Sequence, residues 1–320
     1  MKKFLKKIIE IFINIISIMF LFFLRKFKVN IPKLNKIFKK NGFLIFKKHY
    51  YLPIPSDEEI SFEKDSSLTG ITIEENIIND FFHNIIKYQC EFKKLLYDKN
   101  ILSKYNLFNG TFMAIDSDAY YSIIRCKKPR RIIEIGSGNS TLVAIEAIKE
   151  NFKECGIQEE LTCIEPFPPK YLTNLNYSFL NLIIKKLQEI KLDFFINLEK
   201  NDILFIDSTH VLKSGGDVWY EYCEILPRLK EGVFIHVHDI YLPRPYGKIY
   251  YDQDLYWNEQ YLLQSFLTFN YKYQIIFPSS YYYLNYKNKL EEYYSSELKE
   301  MKRLFPDSIP SSFWMTVKNT

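Results

Sequence analysis

Three apolar runs in the second half of the chain end on acids: residues 161–164 on Glu165, 202–206 on Asp207, and 232–237, through His238, on Asp239. A fourth run, residues 131–135, carries Glu134 within it and passes straight into Gly136-Ser137-Gly138-Asn139-Ser140-Thr141 and a helical stretch. A strand that turns through two glycines into a helix N-terminus brings backbone N–H groups close to a bound ligand. An acid at the tip of the next strand, the place Glu165 takes, can accept both hydroxyls of a ribose. At the other two strand ends the chemistry is proton removal. Asp207 and Asp239 offer hard oxygen ligands to a magnesium ion, which would lower the pKa of a coordinated hydroxyl. His210 and His238, whose side chains titrate near neutrality, are the alternative bases. His236 shares a strand face with His238 but lies deeper, which suits a structural role.

These residues sit in an order of short β-branched runs alternating with helical stretches, the mark of a parallel α/β sheet. A run near residues 182–184, before Gln188-Glu189, and two later ones at 273–277 and 313–317 bring the count to seven strands. The expected fold is α/β: a doubly wound, mostly parallel seven-stranded sheet with an N-terminal helical region. Ligands of such sheets bind at the carboxyl ends of the strands, so Glu165, Asp207 and Asp239 should line one crevice. A helix is expected after the glycines, over about 142–152. Another, residues 73–97, follows the capping-box pair Thr72 and Glu75 and carries His83 on its apolar face, where packing is the expected role. Residues 240–256 lack a regular pattern, as lids and binding loops do. Tyr241, Arg244, Tyr246 and Tyr250 within them are placed to grip a polar or sugar-like acceptor. Trp257 then opens a helix and reads as core, and a Tyr- and Glu-rich helical insertion is expected at about 284–309.

Composition narrows the function. With 47% hydrophobic and 25% charged residues, 10 Gly and 13 Pro, the chain is neither disordered nor fibrous. Its five cysteines are scattered without a CxxC pair, which argues against a disulfide framework or structural zinc and for a reducing compartment. Residues 1–48 hold thirteen Lys and Arg against Glu10 alone, whereas the other 272 residues hold thirty against thirty-seven acids. An acidic body on a basic leader does not suit nucleic acid. Within the leader, residues 8–24 are apolar, flanked by basic residues and followed by no small-residue cleavage site. Lys3, Lys6, Lys7, Glu10, Asn14, Ser17, Arg25 and Lys28 fall on one helical stripe about 100° wide. That pattern fits a helix lying in a membrane interface with its lysines at anionic headgroups, a spanning helix and a buried core helix being the alternatives. The expected organisation is a membrane-associating helix at 1–28, a basic linker and helical cap at 29–110, and the catalytic domain at 111–320.

Taken in order, RIIEIGSGNST, CIEPFP, DILFIDSTH and GVFIHVHDI resemble the successive motifs of class I S-adenosylmethionine-dependent methyltransferases, over roughly residues 105–320. The stretch SGGDVWYEYCEILPRLKEGVFIHVHDIYLP, with WNEQYLLQSFL after it, is similar to a bacterial subgroup whose substrates are largely undefined. The resemblance implies S-adenosylmethionine as cofactor. It implies that Glu134 orients the methionine end, that Gly136, Ser137 and Gly138 form the close turn, that Glu165 holds the ribose hydroxyls and that Gln188 lies toward adenine. Metal-dependent O-methyltransferases use acids at the ends of the two strands that here carry Asp207 and Asp239, and usually add an Asn or Asp after the second, where this chain has Ile240. The expected function is O-methylation of a polar acceptor, such as a glycan or lipid-linked molecule, in the cytoplasm at the inner face of the membrane. A nicotinamide-dependent oxidoreductase, disfavoured by Thr141 in the third glycine position, and a non-catalytic membrane-tethered scaffold are the alternatives.

Overall fold

A computed structural model describes residues 2–26, 31–44, 46, 49–61, 63–97 and 105–318. The chain divides into two units, Met1–Ile60 and Ser61–Thr320, so the helix that follows Thr72 belongs with the sheet. In the first unit, a helix over Lys2–Lys26 precedes a second over Ile31–Lys40, with the rings of Phe20 and Phe38 6.2 Å apart. Leu5–Lys26 is long and apolar enough to cross a membrane, with a mean hydropathy of 2.2, and none of that window is buried. The core-helix alternative is therefore not what the structure has.

The second unit is built on the expected sheet. Strands β1 (Arg131–Ile135), β2 (Glu160–Ile164), β3 (Leu180–Ile183), β4 (Ile203–Ile206), β5 (Phe234–Val237), β6 (Tyr273–Pro278) and β7 (Phe313–Val317) lie in the order β3-β2-β1-β4-β5-β7-β6. The first five are parallel, and β7 runs antiparallel between β5 and β6. β4 and β5 are buried along their whole length, which is why they read as continuous apolar runs. Side chains alternate between two cores. Ile132, Phe205 and Trp314 face one, while Ile133, Leu204, Ile235 and Met315 face the other. His236 joins the first side as a fully buried ring stacked on Phe205 at 4.0 Å, its Nε2 2.9 Å from Ser312 Oγ. This is the structural role expected of it.

The helix after the glycines starts earlier and ends later than expected, at Asn139–Cys155, closed by Gly156 in the left-handed conformation. The helix after Thr72 spans Glu75–Tyr97 and packs on the first core, Phe81 stacking on Phe277 at 5.2 Å. His83 is exposed on it, so the packing role expected for that histidine is corrected. The apolar stripe of this helix is narrower than its sequence suggests, and His83 lies beyond its edge beside exposed Asn84. The insertion expected near 284–309 is two helices, Ser279–Asn285 and Lys287–Leu304.

One buried acid fastens the two ends of the sheet that bear on the site. Asp116, at the start of the helix Asp116–Lys127, accepts hydrogen bonds from Ser279 Oγ (2.9 Å), Ser311 N (2.9 Å) and Ser312 N (3.0 Å), joining that helix to the end of β6 and the entry to β7. Burial raises its carboxyl above the usual range, with the nearby His238 and these three donors opposing. Removing the carboxylate strands buried donors, so Asp116→Ala is expected to cost about 2–4 kcal/mol in urea denaturation; a loss under about 0.5 kcal/mol would show that water replaces the acid without strain.

Candidate functional site

The chain runs outward from β1 to β3 and then crosses back to β4 beside β1, which opens a crevice at the carboxyl ends of β1 and β4. Gly136 leaves β1 with φ +79°, donating its N–H to Ile164 O at 3.0 Å, while Asp207 N donates to Ile135 O at 2.8 Å. A Cβ at Gly136 would stand 1.7 Å from Asp207 O, so only glycine fits. Ser137 N and Phe167 N point at the half-buried Glu165, at 3.4 and 2.7 Å from its two carboxylate oxygens. Ser137 Oγ is buried with no hydrogen-bond partner among the described residues, as expected of a group that meets a ligand. These features suit a nucleoside cofactor.

Glu134 lies one layer deeper. It is fully buried, and its carboxylate accepts from Tyr120 OH (3.0 Å), Thr141 Oγ1 (2.5 Å) and Cys163 Sγ (3.4 Å). Burial pushes its carboxyl up to about 7 against the pull of these donors. Thr141 in turn accepts from Gly138 N at 3.2 Å, so Glu134 props the glycine loop from beneath. Gln188 is exposed and donates to Gly215 O at 3.1 Å, tying the segment after β3 to the segment after β4.

The ends of β4 and β5 bring together three of the four expected catalytic residues. His210 Nε2 lies 3.3 Å from Asp207 Oδ1 and 3.6 Å from Asp239 Oδ2. Its Nδ1 lies 2.8 Å from Glu259 Oε2, and Glu259, fully buried, also accepts from Tyr222 OH at 3.1 Å. Main-chain bonds from Asn258 N and Glu259 N to His210 O (3.0 and 3.2 Å) lock the histidine loop onto the start of the helix Glu259–Leu267. His210 and Asp239 both adopt left-handed backbone, φ +57° and +54°; those bonds hold it at His210, and Ile240 N, donating to Ser311 O at 2.9 Å, fixes the chain just after Asp239. Burial pulls the His210 imidazole down, but Asp207, Glu259 and Asp239 outweigh it and hold the ring well above its ordinary value. Asp207 moves the other way: burial raises it, and the charges of His238 and His210 bring it below the usual carboxylate range.

His238 is adjacent but committed elsewhere. Its Nε2 lies 3.2 Å from the Thr111 carbonyl, and Phe112 packs edge-on against its ring. It holds the segment leading into Asp116–Lys127, lies 3.9 Å from Asp239 Oδ1 and lines the cavity. Burial lowers its imidazole and Asp239, Asp207 and Asp116 raise it further, for a net rise.

The cluster floors a cavity of about 1240 Å³, whose walls come from residues 241–257 and 301–311. The irregular segment 240–256 does line it and contains a short helix, Lys248–Asp252. Tyr241 OH donates to Asp239 Oδ1 at 3.1 Å and lies 2.6 Å from Tyr250 OH. Tyr246, expected to face the acceptor, is instead buried, its hydroxyl accepting from Gln260 N at 3.2 Å. Trp257, expected in the core, is half-buried in the cavity wall, 4.5 Å from the His210 ring and 4.4 Å from Tyr250. Glu259 and Tyr222 went unrecognised in the sequence. An acid two residues into an amphipathic stretch reads as a helix start, and its spacing of 49 residues from His210 carries no pattern.

Asp207, His210 and Asp239 could share a metal ion, their ligand atoms lying within 4.8 Å of one another. The set suits magnesium poorly. The third donor is an imidazole nitrogen already balancing both acids, and Ile240 stands where another oxygen ligand would follow.

Residues 133–240 match a methyltransferase domain family. The chain is 31% identical over 174 residues to an uncharacterized protein of Archaeoglobus fulgidus, covering 48% of this chain and 74% of that one. Among solved structures, it is similar to an SAH-bound methyltransferase of Podospora anserina (13% identity, TM-score 0.38, 86% of this chain and 100% of that one). It is also similar to a putative O-methyltransferase of Klebsiella pneumoniae (12% identity, TM-score 0.38, 77% and 91%).

With Asp207 and Asp239, Glu259 raises the His210 imidazole, and among the described residues it alone bonds the Nδ1 side. In Glu259→Gln, the His210 pKa measured by NMR titration is expected to fall; an unchanged value would leave Glu259 a packing residue. Because the folded value is raised, the pair adds stability below the ordinary imidazole value of about 6.5 that is lost as pH rises through the folded value. The urea-denaturation penalty of Glu259→Gln should therefore shrink toward alkaline pH.

Proposed function

By the match of residues 133–240 to a methyltransferase domain family the chain belongs to the S-adenosylmethionine-dependent methyltransferases, and on that premise we propose that it methylates a hydroxyl of a polar acceptor bound over Asp207, His210 and Asp239. The methyltransferase family match weighs against the nicotinamide reading. S-adenosylmethionine supplies a methyl group already activated on a sulfonium, so the chain's own tasks are to align the acceptor and take its proton. On the cofactor side, Glu165 would take the ribose hydroxyls, the Gly136–Gly138 backbone and Ser137 Oγ would meet the cofactor closely, and Gln188 would lie toward adenine. Glu134 would act through Thr141 by holding the loop.

The observation that carries the reading is His210 itself, held from behind by Glu259 and facing the cavity beside two acids. Glu259 fixes Nδ1 as the donor to its carboxylate, which leaves Nε2 to accept a proton when His210 is neutral. Asp207 and Asp239 then stabilise the imidazolium that forms. A base with a raised pKa is deprotonated only toward alkaline pH, where it is also a stronger acceptor. No step needs a metal ion.

Two experiments test this. S-adenosylmethionine is expected to bind in calorimetry and to lose about tenfold in affinity in Glu165→Ala, roughly 1.4 kcal/mol. His210→Ala should keep that affinity while methyl transfer to polar extracts falls about a hundredfold or more. Full transfer by His210→Ala would assign the proton to another group.

The acceptor's place is read from the first unit. An apolar helix with Lys6, Lys7, Arg25 and Lys26 near its ends fits an anionic membrane surface, so the acceptor is taken to be a glycan or lipid-linked molecule at its cytoplasmic face. Protein lacking residues 1–28 should methylate membrane-derived acceptors several-fold more slowly than the full chain; equal rates would remove the membrane from the reading.

A further inference from the structure

The cavity over His210 is lined by charges of both signs, and this bears on what the acceptor is. The inference rests on the methyl-transfer reading above. At about 1240 Å³ the cavity exceeds the roughly 300–1,000 Å³ of sites for drug-sized ligands, so it has room for more than one small ring. Its floor is acidic through Asp207 and Asp239, while its walls carry Arg244, Lys248 and Lys302 together with Asp252 and Asp307. The Arg244 guanidinium makes no hydrogen bond or ion pair among the described residues, although its backbone is fixed: its N–H donates to Tyr241 O at 2.9 Å and its carbonyl accepts from Gln260 Nε2 at 3.2 Å. Lys302 is half-buried and donates to Pro306 O at 3.0 Å. Burial lowers the Lys302 ammonium below its ordinary value; Asp307 opposes this, and the neighbouring charges of Arg244 and Lys287 add to it. Like charges gathered in one wall cost energy that an anion between them would relieve.

Aromatic rings also line the cavity. The Trp257 and Tyr250 rings are 4.4 Å apart at 33°, and the Trp257 ring lies 4.5 Å from His210. Aromatic rings with a wet edge suit the apolar face of a hydroxylated ring whose rim still needs hydrogen bonds.

We propose that the acceptor is a hydroxylated ring carrying a negative charge, laid against Trp257 and Tyr250 with its phosphate or carboxylate held by Arg244 and Lys302. The acidic floor repels that charge, so the molecule enters in one orientation, with a hydroxyl rather than the anion facing His210. Specificity and alignment then come from one charge gradient.

The test is calorimetry on the full chain, with S-adenosylhomocysteine titrated first and three probes titrated into the resulting complex: methyl glucoside, glucuronate and glucose 1-phosphate. At least one charged probe is expected to bind about tenfold or more tightly than the neutral one, and which of the two does so identifies carboxylate or phosphate as the recognised group. Arg244→Gln and Lys302→Gln should each remove most of that preference, with S-adenosylhomocysteine affinity unchanged. Equal binding of neutral and charged probes, absence of charged-probe binding, or variants that keep the preference would overturn the charge assignment while leaving the methyltransferase reading in place. Failure of S-adenosylhomocysteine itself to bind would overturn that reading and this inference with it.

Discussion

Gly136 and Asp207 are separated by less than the width of a methyl group, since a Cβ on the glycine would meet the Asp207 carbonyl at 1.7 Å. Everything in the site follows from that approach. It exists because β4 returns to lie beside β1, so the loop that leaves β1 and the acid that ends β4 must share one opening. The glycine loop and Glu165 stand on one side of it and the His210 cluster on the other. A group carried by the first can then be delivered to a group held by the second with little motion of either.

The two sides are stiffened by different means. Beneath the glycine loop, Glu134 gathers three donors in a space sealed from water, and Thr141 passes the restraint to Gly138. At the other side the restraint is electrostatic. One imidazole sits among Asp207, Asp239 and Glu259, and the left-handed backbone at His210 and Asp239 costs about 1 kcal/mol or more at each. The main-chain bonds from Asn258 and Glu259 to His210 O keep the histidine end of that arrangement in place.

Glu134 and Glu165 illustrate how position decides the work of one residue type. Glu134 points from mid-strand into the first core, fully buried among Tyr120 and Cys163. Glu165 stands one residue past the end of β2, half-buried and within reach of two backbone N–H groups of the loops around it. His236 and His238 repeat the lesson two residues apart. The inner ring is stacked in the core and the outer one joins the cavity wall while holding Thr111.

The sequence by itself determined the sheet, its strands and the places where chemistry could occur. Continuous β-branched runs, glycines and strand-end acids are local signals, and each depends on residues within a few positions of one another. Asp207, His210 and Asp239 were legible in that way because they follow directly on β4 and β5. The tertiary structure alone decided that Glu259, 49 residues beyond His210, would charge its ring, that Trp257 would leave the core for the cavity wall, and that Tyr246 would do the reverse. It likewise set Arg244 and Lys302, 58 residues apart, in one cavity. No periodicity records such pairs. They are set by how the elements after β5 pack back over the sheet, and that packing is a property of the folded chain as a whole.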